Sequence, residues 1–454
     1  MFITEGQHIT IENKKCPSKP MELKIDGCLR SVPGRRAVYE GLWEDHSVII
    51  KVFLSRVQGW RHFVRELKGL NRLADRCIPT ATVLGYGRDA NGNRLLVLEK
   101  IENSEVLSSI CAGPGDLEIQ TKPLSLTLSL LAQMHVAGVL QRDLHLGNFL
   151  WDGGSVYALD PAQMQFFSKS ISERKSLRQL GTLMTAFMSY GDDVKKELLA
   201  AYFQERGWKL DAPALDRITR LAQTSSRRAI KRTLKKSLRT CTDFIRHENL
   251  QYTGVFDRGI FEHHDMAEFM AGLDKAMEAG EILKRGNTCF VSRIQVFGRD
   301  VVVKRYNHKG LWHSLRHTLK GSRAKKCWLF GHRLKCLDIP VSKPLAFIEL
   351  RHCGIIRQSY ILNDFIEGRN IRDYVNQPDL DERARQQIRN KAAALLSKIV
   401  EHRITHGDLK ATNILICDDQ PVLIDLDSMK YHRCRWLLKV SQQKMKNKIQ
   451  EQNL

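Results

Sequence analysis

The sequence lacks long apolar runs, paired cysteines and a recognisable export signal. Its most hydrophobic stretch, residues 124–140, contains Ser, Thr, Gln and His and falls short of the roughly 20 apolar residues that a membrane-spanning helix needs. The 11 cysteines are scattered and form no C-x-x-C pair, which argues against a zinc site and favours reduced thiols and a cytoplasmic location. The start, MFITEGQHITIEN, has no basic segment followed by an apolar one, so we expect no export.

Positive charge is what the chain has in excess. Lys and Arg total 72 against 50 Asp and Glu, which gives a formal net charge of +22. Such an excess predicts an anionic partner, such as nucleic acid, anionic lipid or a phosphorylated glycan. Nucleic acid is the weakest of these, because no helix-turn-helix, zinc finger or aromatic RNA-binding motif accompanies the charge. The length of 454 residues predicts two or three folded domains.

One motif occurs twice, in residues 142–160 (RDLHLGNFLWDGGSVYALD) and 407–425 (GDLKATNILICDDQPVLID). In each copy an Asp is followed by an Asn at the fifth position after it, and a second Asp lies twelve positions after that Asn. Two short apolar runs with a polar turn between them separate the Asn from the second Asp, which predicts a β-hairpin. The repeated residues are Asp143, Asn148 and Asp160 in the first copy and Asp408, Asn413 and Asp425 in the second.

A β-branched run with a single lysine precedes each copy of the motif. Lys51 lies in SVIIKVF and Lys304 in DVVVKRY. A lysine in a buried strand needs a partner. A helix predicted after the first run, WRHFVRELKGLNRL, carries Glu66, and we predict that Glu66 pairs with Lys51. After the second run, Cys327 or a neighbouring lysine stands where such a glutamate is expected.

The order of elements is the same around both copies of the motif. Strands come first, then a connector, then helices, and this order predicts an α+β fold. Residues 167–250 are predicted to be helical and are assigned to the first unit. We therefore predict two domains, residues 1–252 and residues 253–454.

The repeated residue types suit phosphoryl transfer from a nucleotide. That reaction needs cations on the phosphates and a carboxylate that orients the acceptor hydroxyl. Mg²⁺ prefers hard oxygen ligands, so the candidate metal ligands are the Asn148–Asp160 and Asn413–Asp425 pairs, and Mn²⁺ suits the same oxygens. The candidate catalytic residues are Asp143, Asp408 and Lys410, and the candidate ATP-binding residues are Lys51, Glu66, Glu99 and Lys304.

These segments resemble a known group of enzymes. HGDLKATNIL with VLIDLD, and QRDLHLGNFL with YALD, are similar to the catalytic and metal-binding segments of the protein-kinase-like superfamily. Within it, they resemble the bacterial lipopolysaccharide core kinases, the Kdo/heptose kinase (WaaP, InaA-type) family. The segment VPGRRAVYEG before Lys51 supports this resemblance. It implies two bilobal kinase-like units in tandem, each with a strand-rich amino-terminal lobe and a helical carboxy-terminal lobe.

The resemblance also implies a function. It indicates a cytoplasmic kinase, dependent on ATP and Mg²⁺, that phosphorylates a heptose or Kdo hydroxyl of the lipopolysaccharide inner core. The precursor would lie on the inner membrane of a Gram-negative bacterium, with which the kinase would associate peripherally. Two alternatives stay open: a protein or other small-molecule kinase of the same fold, and a non-catalytic pseudokinase scaffold at that membrane.

Both copies depart from the kinase pattern. Neither has a complete G-x-G-x-x-G loop, and Gln141 stands where the second copy has His406. Two basic segments, residues 227–240 and 431–450, are candidate contacts with an anionic membrane surface or the core glycan. The alternative for the first is a solvated helix that packs on its own domain through one apolar stripe, and the alternative for the second is a frayed final helix.

Overall fold

The computed structural model divides the chain into two compact units, Met1–Arg227 and Arg228–Leu454. This boundary precedes the predicted one at residue 252, because strands at Phe244–Glu248 and Tyr252–Asp257 are hydrogen-bonded into the sheet of the second unit. They lie in a stretch that we predicted to be helical. The structure describes residues 6–16, 20–32, 34–54, 57–111, 117–188, 190–307, 318, 321–434 and 436–443.

The first unit begins with an antiparallel sheet of six strands. These are β1 (His8–Ile11), β2 (Met21–Val32), β3 (Arg36–Trp43), β4 (His46–Phe53), β5 (Val83–Arg88) and β6 (Arg94–Glu99). Their order in the sheet is β1-β2-β3-β4-β6-β5. Alternate residues of β4, Val48 and Ile50, are buried in one face, so Lys51 projects from the other face. Helix α1 (Gln58–Ala74) packs on that second face through Phe63 and Leu70.

The rest of the first unit is mainly helical. Its helices are α2 (Leu107–Ile110), α3 (Leu117–Val136), α4 (Glu173–Leu183), α5 (Asp192–Glu205) and α6 (Ala212–Lys236), and the last of these contains the unit boundary. Short strands lie between α2 and α4, with one just before α2: β7 (Glu105–Val106), β8 (Val139–Gln141), β9 (Phe149–Trp151), β10 (Val156–Ala158) and β11 (Met164–Phe166). Leu128, Leu131 and Leu180 are among the buried residues of the core that joins these elements.

The second unit is built around an antiparallel sheet of seven strands. These are β12 (Phe244–Glu248), β13 (Tyr252–Asp257), β14 (Glu281–Arg285), β15 (Cys289–Val296), β16 (Arg299–Asn307), β17 (Pro344–His352) and β18 (Ile355–Asp364). Their order is β12-β13-β17-β18-β16-β15-β14. Helices α7 (Arg258–Phe261) and α8 (Met266–Ala279) lie between β13 and β14.

Helices and short strands complete the second unit. The helices are α9 (Arg323–Lys335), α10 (Ile371–Val375) and α11 (Glu382–Glu401). The strands are β19 (Arg369–Asn370), β20 (Ile404–His406), β21 (Ile414–Cys417), β22 (Gln420–Leu423) and β23 (Met429–Tyr431). Residues 436–443 are also helical. In both units helices and antiparallel sheets occupy separate stretches, in agreement with the predicted α+β class.

The two copies of the repeated motif adopt the same local structure. In each, a short strand is followed by a loop, a 3₁₀ turn that ends at the Asn, and an antiparallel hairpin, either β9–β10 or β21–β22. The hairpins predicted from the sequence are therefore confirmed. No helix in the described part of the chain is both long and apolar enough to cross a membrane.

Candidate active site

In the first unit, Lys51 is held by Glu66. Lys51 Nζ lies 2.5 Å from Glu66 Oε1, and Glu66 is only 2% exposed. Strand β4 directs the lysine towards α1, and α1 places the carboxylate on its buried side. The ion pair expected from the sequence spacing is present.

The Asp143 loop is fixed to the following hairpin by Asn148. The Asn148 Nδ2 donates a hydrogen bond to the backbone oxygen of Asp143 at 2.7 Å. The Leu159 N–H donates to the backbone oxygen of Asn148 at 2.8 Å, which places Asp160 at the end of the hairpin. Asp160 has a positive φ of 53°, a left-handed conformation that residues other than glycine seldom adopt.

One cleft of the first unit brings four predicted residues together. Lys51, Glu66, Asn148 and Asp160 all line it, and Arg36 of β3 lines it too. Burial and the Glu66 carboxylate raise the pKa of Asp160, while Arg36 and Lys51 lower it. The pKa of Asp160 is raised overall, so a cation beside this carboxylate would favour its ionised form.

Two other predicted residues of the first unit, Asp143 and Glu99, are not among the described residues that line this cleft. The Asp143 side chain is 70% exposed, near enough to Asp160 to raise its pKa. Glu99 ends β6 with an exposed side chain, and the described residues that line the cleft do not include it. The prediction that Glu99 binds ATP therefore has no support from the position of its side chain.

Sequence reasoning missed Arg36 and His145. Arg36 could have been noticed in VPGRRAVYEG, the glycine-containing segment before Lys51. His145 Nε2 lies 3.9 Å from Asp143 Oδ2, and His145 occupies the motif position that Lys410 holds in the second copy. Aligning the two copies residue by residue would have found it.

The second unit repeats the loop geometry of the first. The Asn413 Nδ2 donates to the backbone oxygen of Asp408 at 3.0 Å, and the Ile424 N–H donates to the backbone oxygen of Asn413 at 3.2 Å. Lys410 Nζ lies 3.1 Å from Asp408 Oδ2. The predicted catalytic pair of this unit is therefore in contact.

Lys304 finds its partners beyond the hairpin and not on a helix. Its Nζ lies 2.9 Å from Asp427 Oδ2 and 3.1 Å from Asp425 Oδ1. Helix α9 contributes Cys327 at this point, as expected, and the Cys327 Sγ donates to Asp427 Oδ1 at 2.8 Å. Asp427 therefore supplies the carboxylate that Glu66 supplies in the first unit.

Asp427 gathers several donors in a mostly buried cluster. Arg323 Nη2 lies 2.7 Å from Asp427 Oδ2, and the Tyr306 hydroxyl donates to Asp427 Oδ1. Burial would raise the pKa of Asp427, but Lys304 and Arg323 outweigh it and lower this pKa to about 2. Burial lowers the pKa of Lys304, whereas Asp427 and Asp425 raise it, and the net shift is upwards. The cluster thus keeps both Asp427 and Lys304 charged. Sequence reasoning missed Asp427 although VLIDLD displays it.

His406 holds the backbone beside Asp425. Its Nε2 lies 2.6 Å from the Asp425 backbone oxygen, and its Nδ1 lies 3.3 Å from Ser428 Oγ. Gln141, at the corresponding position of the first unit, is buried, and its two amide atoms have no hydrogen-bond partner among the described residues. Among the described residues, the first unit therefore lacks a side-chain hydrogen bond equivalent to the one between His406 and the Asp425 backbone.

The donor set of the first unit suits a magnesium ion that also binds a nucleotide. No group of three or more His, Cys, Asp or Glu side chains within the described residues could hold a metal ion. Mg²⁺ commonly takes one or two protein ligands together with water and phosphate oxygens. In the first unit Asn148 and Asp160 line one cleft beside Lys51, so their oxygens fit that mode.

Comparison with known proteins finds a similarity in the second unit. Residues 274–450 match the model of the lipopolysaccharide kinase (Kdo/WaaP) family. The second unit is therefore similar to this family over most of its length. A protein from Actinobacillus succinogenes named 3-deoxy-D-manno-octulosonic acid kinase is 28% identical over 145 residues, which are 30% of this chain and 59% of the relative. The chain thus spans about three fifths of that relative. Both findings agree with the resemblance to this kinase family that the repeated motif indicates.

Proposed function

We propose that this chain is an ATP-dependent kinase that phosphorylates a heptose or Kdo hydroxyl of the lipopolysaccharide inner core. The observation that carries the proposal is the meeting of Lys51, Glu66, Asn148 and Asp160 in one cleft, next to the Asp143 loop. The match of residues 274–450 to the Kdo/WaaP family model supports the same reaction. We place the enzyme in the cytoplasm, peripheral to the inner membrane that carries its acceptor.

Each compact unit forms one bilobal kinase-like domain in this proposal. The sheet with its lysine strand and helix α1 or α9 makes the amino-terminal lobe, and the motif with the later helices makes the carboxy-terminal lobe. The support is the shared sequence of elements and the matching hydrogen bonds of the two Asp–Asn pairs.

In the first unit the residues divide the work of transfer. Lys51, oriented by Glu66, binds the α- and β-phosphates, and Arg30 and Arg36 add two further cations to the cleft. Asp143 orients the acceptor hydroxyl and takes its proton as the hydroxyl oxygen bonds to the γ-phosphorus. The bond from the γ-phosphorus to the bridging oxygen breaks and ADP leaves. Asn148 and Asp160 would hold Mg²⁺ or Mn²⁺, which neutralises charge on the phosphates.

In the second unit Asp408 is the corresponding base. The Nζ of Lys410 lies 3.1 Å from Asp408 Oδ2, where a cation can stabilise the negative charge of the phosphoryl group during its transfer. Asn413 and Asp425 would hold the metal ion, and Lys304 would bind the nucleotide phosphates. Asp427 acts through Lys304 as a positioning residue.

One observation favours a second candidate function, a non-catalytic second unit. Lys304 lies within 3.1 Å of Asp425 Oδ1, and the Asp427 N–H donates to the same oxygen at 3.1 Å. Two donors therefore already engage one of the two carboxylate oxygens of Asp425, a candidate metal ligand. A second unit of this kind would serve as a scaffold for the first.

Transfer of labelled γ-phosphate from ATP–Mg²⁺ tests the proposal. The acceptors are a precursor that ends in Kdo and a core that carries heptose, each incubated with wild type, Asp143→Ala, Asp408→Ala and the double variant. Loss of a base lowers rates by about 100-fold or more, so we expect the double variant to lose transfer to the true acceptor. Asp193→Ala and Asp379→Ala, which remove exposed carboxylates from each unit, are the matched controls.

The pattern of loss assigns the units. Loss only in Asp143→Ala would favour the scaffold role for the second unit, and partial loss in both single variants would favour two active units. Labelling of neither acceptor above the double-variant background would overturn the proposed function.

A further inference from the structure

The first unit has a second cleft, between α1 and the segment that follows Asp160. Four cations line it: Arg65, Lys68, Arg72 and Arg142. We call it the arginine cleft. No acidic residue appears in its lining among the described residues. The first cleft shares none of these four cations.

The arrangement of the cations follows from two elements that meet. Arg65, Lys68 and Arg72 are spaced by three and four residues and so lie on one face of α1. Arg142 comes from the motif loop, directly before Asp143. Gly69 lets the helix approach the segment that follows Asp160, because a Cβ there would lie 2.7 Å from Pro161 Cβ. The fold thus brings together cations from separate parts of the chain.

These cations have no carboxylate partners among the described residues. Across the residues that the structure describes, none of the four takes part in an ion pair, and all four are exposed. Like charges that share one cleft repel each other and raise the local positive potential. Arg72 lies over the Phe166 ring at 5.4 Å, which restrains its guanidinium group within the cleft. A bound anion would relieve the repulsion.

A solvated helix face is the simpler explanation for three basic residues on α1. That explanation does not account for Arg142, which belongs to another element, or for the concave surface that joins them. The second copy of the motif has Gly407 in place of Arg142. The loop cation is therefore specific to the first unit.

We propose that the arginine cleft binds an anionic group, a phosphate monoester or a sugar carboxylate, carried by the acceptor. Guanidinium groups bind both kinds of anion through paired hydrogen bonds. Because Arg142 adjoins Asp143, an acceptor anchored there has its neighbouring hydroxyls near the candidate base. This inference rests on the proposed function and adds a requirement for charge on the acceptor.

Binding measurements test the cleft without any need for transfer. Inorganic phosphate is titrated calorimetrically into the full chain at constant ionic strength, using wild type, Arg65→Ala/Arg72→Ala and Arg142→Ala. We expect phosphate to bind about 10-fold more weakly to both variants, or about 1.4 kcal/mol. Arg61→Ala/Arg174→Ala removes the same charge as the double variant from exposed positions outside the cleft, and we expect it to match wild type. Equal weakening in this control, or no weakening in the cleft variants, would overturn the site.

Two further arms identify the source of the anion. Lys51→Met should keep its affinity for phosphate, and loss of binding in this variant alone would move the site to the first cleft. Core oligosaccharide is then titrated before and after phosphatase treatment. A loss of about 10-fold in Arg65→Ala/Arg72→Ala that disappears after treatment assigns an acceptor phosphate, and a loss that persists assigns a carboxylate. Oligosaccharide binding equal to that of wild type would overturn the link to the acceptor, whether or not the chain transfers phosphate.

Discussion

Lys304 Nζ lies 2.9 Å from Asp427 Oδ2, so the strand lysine of the second unit is bound from the loop after the hairpin. In the first unit the corresponding lysine, Lys51, is bound by Glu66 from a helix. The electrostatic requirement is the same, since each lysine needs a carboxylate in a mostly buried site. The first unit supplies this carboxylate from helix α1, and the second unit supplies it from the loop after the β21–β22 hairpin. Cys327 of α9 touches the same Asp427 carboxylate, which marks the place where a helix glutamate could stand.

Relocating the carboxylate should partly restore a second unit that has lost Asp427. Asp427→Ala leaves Lys304 and Arg323 without their buried partner, and we expect the second unit to lose about 3 kcal/mol of stability. Adding Cys327→Glu places a carboxylate on α9 beside Lys304 and should recover about half of that loss. Hydrogen exchange of peptides from β16 and α9 measures the second unit alone.

The control for this pair is Asp379→Ala, an exposed carboxylate of the same unit. It should change exchange little, since exposed substitutions rarely exceed about 0.5 kcal/mol. If Cys327→Glu adds to the loss caused by Asp427→Ala, the helix position does not substitute for the loop position. The same variants, combined with Asp143→Ala, report whether transfer by the second unit follows the ion pair.

Acid should destabilise both units through buried histidines. Burial lowers the pKa of His135 and of His332 to about 4. An unfolded histidine takes up a proton near pH 6.5, while these folded ones do not until about pH 4. Stability therefore falls as the pH decreases between those values, by about 1.4 kcal/mol per pH unit for each histidine. Urea unfolding at a series of pH values measures the slope.

Substitution assigns that slope to particular residues. His135→Gln should lower stability at pH 7, because it alters hydrogen bonds to Tyr202 and Gln179, and should flatten the slope of the first unit. His62→Gln, at an exposed position on α1, should leave the slope unchanged. An unaltered slope in His135→Gln would show that other groups cause the acid lability.

Gln141→Leu should stabilise the first unit. The Gln141 side chain is 1% exposed and its amide atoms lack partners among the described residues. A buried polar group without a partner costs about 1–3 kcal/mol, and an apolar side chain of similar size removes that cost. We expect a gain of about 1 kcal/mol in the free energy of unfolding, measured by urea titration. A loss would mean that the amide has a partner in solution, such as a buried water molecule.

Local sequence patterns predicted the motif and its loop well. The apolar runs between the Asn and the second Asp of each copy predicted two hairpins, because contacts within some twenty residues depend on local turns and strand pairing. The Lys51–Glu66 ion pair could also be predicted from the sequence, since a strand and the helix that follows it commonly pack together. These features depend on residues close in the chain.

Contacts between distant residues were harder to predict. Asp427 approaches Lys304 across more than 100 residues, and no local pattern marks that pairing. Residues 244–257 follow a run of helices in the sequence, yet they form two strands of a sheet whose other strands come later in the chain. The arginine cleft likewise depends on how closely α1 approaches the loop after Asp160. Tertiary packing decides all three.

Helix α1 approaches the segment after Asp160 closely at Gly69. A Cβ at this position would lie 2.7 Å from Pro161 Cβ and 2.8 Å from the Pro161 backbone oxygen. Alanine favours a helix over glycine by about 1 kcal/mol, but here the helix or the backbone next to Asp160 must move. We expect Gly69→Ala to lower the free energy of unfolding of the first unit by about 1–3 kcal/mol and to weaken ATP binding there.

Gly272→Ala is the matched control, because Gly272 lies within α8 and an added Cβ meets nothing within 4 Å. That variant should gain about 1 kcal/mol from helix propensity alone. Urea titration of both variants, with calorimetric titration of ATP, separates helix propensity from packing. If Gly69→Ala gains stability as Gly272→Ala does, α1 is free to move away from Pro161. The helix would then fix neither Glu66 nor the arginine cleft against the Asp160 segment.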